Sequence, residues 1–105
     1  HGPLALIEEG LPVIVIAPKD KYFEKTISNM QEVIARGGKI LFLTDYKKDL
    51  MNENIRLGVR VPSVNSLLSP IILTVPLQLL AYHVALLKKC DIDKPRNLAK
   101  SVTVE

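Results

Sequence analysis

The sequence has one cysteine, Cys90, and no tryptophan. A single thiol closes no disulfide within the chain and builds no multi-cysteine metal cluster. A reducing compartment, the cytoplasm, is the expected setting. Seven prolines and five glycines are too few for a collagen-like or low-complexity segment. Three tyrosines and two phenylalanines are the whole aromatic complement, and no basic stripe interleaves them. Nucleic acid is therefore not an expected partner. The excess of positive charge is small, +3 from 14 basic and 11 acidic residues. The chain opens on His1-Gly2-Pro3 with neither a methionine nor a basic-then-apolar leader. The expectation is a start inside a longer protein.

What is present is globular. Hydrophobic residues make up 48% and charged residues 24% of 105, which suits one domain with a real core. One stretch bears on membranes: residues 67–87 hold no Asp, Glu, Lys or Arg. A spanning helix needs about 20 apolar residues. Ser69, Pro70, Thr74, Pro76, Gln78 and His83 interrupt this one, so a buried core helix is expected and no membrane.

The apolar runs define an α/β order. Residues 12–18 form a β-branched run closed by Pro12 and Pro18. It lacks polar alternation, the pattern of a strand buried on both faces in a parallel sheet. Asp20 is the expected N-cap of a helix over 20–36, whose Phe23, Ile27, Met30 and Ile34 share one face. Gly37-Gly38 is its expected stop. Residues 39–44 read as a second buried strand. Residues 55–61 alternate more and read as a third strand at a sheet edge. Ser69-Pro70 reads as the cap and first position of a long helix reaching about Lys89, with a kink at Pro76. Together these give a three-layer αβα architecture with a parallel sheet. Three strands are thin for an open sheet of this class, which typically has about five, so a partial lobe is expected.

Local chemistry is sparse. Gly37-Gly38 follows a helix and lacks the spacing of a dinucleotide fingerprint. Asp45 ends a strand, where ligands of α/β sheets bind. The companion acidic residues that would hold a metal ion there are missing, since the first strand ends in Ala17-Pro18. Asp45 thus reads as turn chemistry. His83 reads as a satisfied core residue. Lys47-Lys48 and Lys88-Lys89 read as solvated pairs. No cofactor and no metal is expected.

The C-terminal segment carries the most specific signal. Residues 93–105, Asp-Lys-Pro-Arg-Asn-Leu-Ala-Lys-Ser-Val-Thr-Val-Glu, strongly resemble the extreme C-terminus of the glutamine–fructose-6-phosphate aminotransferase (isomerising) family, the glucosamine-6-phosphate synthases. Residues 74–85, Thr-Val-Pro-Leu-Gln-Leu-Leu-Ala-Tyr-His-Val-Ala, resemble its long helix before the tail. His1-Gly2-Pro3 resembles its K-H-G-P motif, starting one residue late, and Val33-x-Ala35-Arg36-Gly37-Gly38 also fits. The resemblance runs from residue 1 to residue 105.

It implies a sugar-isomerase (SIS) fold. Residues 1–90 would be the later part of the second SIS lobe, and 91–105 the tail that closes over the sugar. The activity implied is that of an aminotransferase of amino-sugar biosynthesis: fructose 6-phosphate and ammonia from glutamine give glucosamine 6-phosphate. Lys100 matches the lysine that forms an imine with the open-chain ketose. Its amine must be neutral to attack, so its pKa must be brought down from about 10.4. His1 matches the histidine that helps open the sugar ring and reaches a neighbouring subunit's site, in line with imidazole's proton chemistry near neutral pH. Ala99 would line the sugar. The resemblance also implies a homodimer and a remainder of the synthase, which supplies the glutaminase domain, the phosphate-binding loops and the catalytic glutamate. The chain would then carry two working side chains and no complete site, and be inactive alone. Two other readings stand beside this one: a sugar-phosphate-binding SIS module without catalysis, and a dimerisation piece built on the 67–87 helix.

Overall fold

The structure, a computed structural model, describes residues 2–48 and 53–94. The chain divides into two compact units, residues 1–73 and 74–105.

The first unit is organised by a sheet of three parallel strands, β1 (Pro12–Ile16), β2 (Lys39–Thr44) and β3 (Ile55–Arg60), in that spatial order. All three are where the β-branched and apolar runs place them, and β3 lies at an edge as expected. Val13 pairs with Ile40, Val15 with Phe42 and Leu43 with Val59. The β2–β3 register shifts between Ile40 and Leu41: Ile40 pairs with Ile55 and Leu41 with Leu57, so Arg56 is the extra residue.

Helix α1 (Phe23–Ala35) crosses from β1 to β2. Its apolar face is the one its spacing sets: Phe23 and Met30 are buried, and Ile27 and Ile34 pack against the same cluster. That cluster joins Ala17, Ile40, Phe42 and Ile55 with Val13, Val15, Val33 and Tyr46. Each large side chain buried this way contributes roughly 1.5–3 kcal/mol. The helix begins two residues later than expected. Asp20 is not its N-cap: Tyr22 is. Instead the Asp20 carboxylate accepts the Tyr22 N–H at 2.8 Å, and the Asp20 carbonyl accepts the Phe23 N–H at 3.2 Å. A local Asx turn has outcompeted the cap.

The end of α1 is as expected. Gly37 has φ +84°, the left-handed conformation that glycine adopts without steric cost. The Gly37 N–H donates to Ile34 at 2.9 Å and the Gly38 N–H to Val33 at 3.1 Å, the paired bonds of a Schellman closure.

β1 departs from expectation. It is not buried on both faces: Ile14 and Ile16 are 45% and 40% exposed. Their partners Leu41 and Leu43 point the same way in the register, as does Leu57, 46% exposed. α1 covers the opposite face. The residue types of β1 suit a doubly covered strand, while on the face away from α1 the described chain buries Leu43 and leaves Ile14 and Ile16 open.

Helix α2 (Ser69–Leu87) starts in the first unit and forms most of the described second unit. Its entry is set four residues upstream. The Asn65 side chain accepts the Leu67 N–H at 3.0 Å, and its carbonyl accepts the N–H groups of Leu68 and Ser69. Ser69 is thus already helical rather than capping. The helix continues through Pro76 and ends at Leu87, two residues short of Lys89. Within α2 Leu73 alone is buried, so the expected core helix is largely open here. Its 19 residues are long and apolar enough to cross a membrane by length and composition. The C-terminal closure repeats that of α1 without glycine. Lys89 takes φ +55° and donates its N–H to Leu86, while Cys90 donates to Ala85, both at 2.9 Å.

Candidate functional site

The carboxyl ends of parallel strands are where polar loops of such sheets gather. Here the loop after β1 is latched to the end of β2. Thr44 is buried, and its hydroxyl donates to the Ala17 carbonyl at 2.6 Å while accepting the Tyr46 N–H at 3.0 Å. The Asp45 carboxylate accepts the Lys19 N–H at 2.6 Å. Asp45 therefore serves as turn chemistry, as its sequence context implies.

Lys19 completes the latch. Its Nζ lies 4.2 Å from the centre of the Phe23 ring and 5.0 Å from that of Tyr46. The two rings are 4.8 Å apart and tilted by 48°. Nζ also bonds Glu24 Oε1 at 2.8 Å. The Glu24 hydrogen bond, with the charge of Glu24 beside it, holds the ammonium's pKa above its ordinary 10.5 against an opposing desolvation effect. Sequence reasoning missed this cluster. Lys19 and Glu24 are near in sequence, but Tyr46 arrives from the next strand and leaves no local signal.

Among the described residues no buried side-chain nitrogen or oxygen lacks a hydrogen-bond partner. The strand-end cluster is closed upon itself, with its polar groups turned to holding loops. No group of three or more His, Cys, Asp or Glu among the described residues is placed to hold a metal ion. His83 stands edge-on to Tyr82, ring centres 5.3 Å apart, on the exposed surface of α2. It is not the buried residue its apolar neighbours imply, because α2 is open. Cys90 is exposed beyond the helix end.

His1, Ala99 and Lys100 lie outside the described residues. On either side the described chain stops at Gly2 and at Lys94. After Gly2 the chain makes a short 3₁₀ turn over Pro3–Leu6. It reaches the sheet through Gly10, whose N–H donates to the Gly37 carbonyl at 2.8 Å, and Leu11, whose carbonyl accepts the Lys39 N–H at 2.8 Å. In the second unit the Asp91 carboxylate accepts the N–H groups of Asp93 and Lys94, at 2.9 and 3.0 Å.

A sheet of parallel strands joined by a helical crossover defines an α/β protein. The family model for the SIS domain matches residues 1–88, and the chain belongs to that family. It is 56% identical over 106 aligned positions to a glutamine–fructose-6-phosphate aminotransferase (isomerising) of Agrobacterium fabrum, and 55% identical to one of Rhizobium meliloti. All of this chain is covered in both, and it spans 17% of the length of either relative. Among solved structures it is similar to the C-terminal domain of the glucosamine-fructose-6-phosphate aminotransferase of Francisella tularensis. That match has TM-score 0.82 and 38% identity, over 90% of this chain and 27% of that one. The fold class read from the sequence, α/β with a parallel sheet of SIS type, is the one found.

Proposed function

We propose that this chain is part of the isomerase domain of an isomerising glutamine–fructose-6-phosphate aminotransferase. The observation that carries the reading is identity above half over the whole chain, with no part left unmatched. In this reading residues 1–90 belong to the second SIS lobe and 91–105 form the tail over the sugar. The Lys100 amine attacks the ketone of open-chain fructose 6-phosphate and forms an imine with loss of water. The His1 imidazole moves the proton that opens the ring. Ala99 lines the sugar, and the closed tail keeps water from the imine. The product is glucosamine 6-phosphate, with ammonia from glutamine as nitrogen source.

The partners proposed are a second copy, the remainder of the synthase and the sugar phosphate, in the cytoplasm. The open face of β1 and the apolar surface of α2 support burial against further protein. A sugar-phosphate sensor without catalysis has no use for an imine-forming lysine.

The test is borohydride trapping with fructose 6-phosphate in the full-length protein, followed by peptide mass spectrometry. A reduced sugar adduct on Lys100, absent from Lys100→Ala, is expected. Full aminosugar synthesis by Lys100→Ala would remove the lysine from the mechanism.

A further inference from the structure

We draw no further inference here: the strongest candidate, the open edge and outer face of β1 at Ile14 and Ile16, carries nothing beyond the burial against further protein already proposed, because nothing in the structure shows what covers it.

Discussion

The Thr44 hydroxyl donates to the Ala17 carbonyl at 2.6 Å, and this bond pins the exit of β1 to the end of β2. It is buried, and the same oxygen accepts the Tyr46 N–H. One side chain thus satisfies two backbone groups. Thr44→Val keeps the shape and leaves both without that partner. Each buried unsatisfied group costs about 1–3 kcal/mol, so a loss of about 2–4 kcal/mol is expected. Urea unfolding should show a lower midpoint with an unchanged slope. A midpoint equal to that of the unsubstituted protein would mean that water replaces the hydroxyl.

Lys19 gives a pH dependence whose sign is fixed by its partner. Its pKa is raised in the folded state by Glu24 and stands at the ordinary 10.5 when that contact is absent. A raised pKa means that the charged form favours folding. The contribution is fully present below pH 10.5 and is lost as pH rises through the folded value. The difference in melting temperature between the protein and Lys19→Gln should be constant from about pH 7 to 10 and shrink above 10.5. Because Lys19 is solvent-accessible, added salt should narrow the gap at neutral pH as well. A gap that widens in alkali would reverse the assignment.

How much of this was legible in the sequence differs residue by residue. β2 was, because Ile40, Phe42 and Leu43 are buried and apolar. The α1 face was, because Phe23, Ile27, Met30 and Ile34 keep a helical period. Gly37 was, since few residues but glycine accept its backbone. The exposure of Ile14 and Ile16 was not: residue type records the surroundings a strand suits, not those that the described chain provides. Asp20 was misplaced because the same side chain can cap a helix or close an Asx turn, and spacing does not choose. The latch of Lys19 on Tyr46 depends on strand pairing, which a local pattern does not encode. The roles given to His1, Ala99 and Lys100 rest on resemblance alone, since a lone histidine, alanine or lysine carries no spacing of its own, and all three lie outside the described residues.

Lys89 is the one non-glycine residue with positive φ among those described, at +55°. An L-residue with a side chain pays roughly 1–2 kcal/mol for that conformation. Glycine avoids it and gives back part through the greater freedom of the unfolded chain. Lys89→Gly should therefore stabilise the α2 closure by about 1 kcal/mol, read as a higher urea midpoint. Lys89→Ala, which keeps the strain, should bring no such gain. Equal effects of the two substitutions would show that the lysine charge, not the backbone, sets the stability there.

The apolar surfaces make the last prediction. On the sheet, Ile14, Ile16 and Leu57 expose 45%, 40% and 46% of their surface. On α2, Ile71, Val75, Leu79 and Leu87 are also exposed. A strand edge with unpaired backbone groups is a template for pairing, and apolar patches of this kind are covered in stable proteins. The chain of residues 1–105 by itself should therefore associate with itself as concentration rises, seen as a sedimentation coefficient that grows across the micromolar range. Ile14→Lys places a charge on the open face of β1 and should weaken the association, since a charge there must be desolvated on contact. It leaves Val13 and Val15, on the α1 side, in place. A monomer at every concentration, with Ile14→Lys no different, would mean that these surfaces are tolerated in water and that their covering by other protein is not needed for solubility.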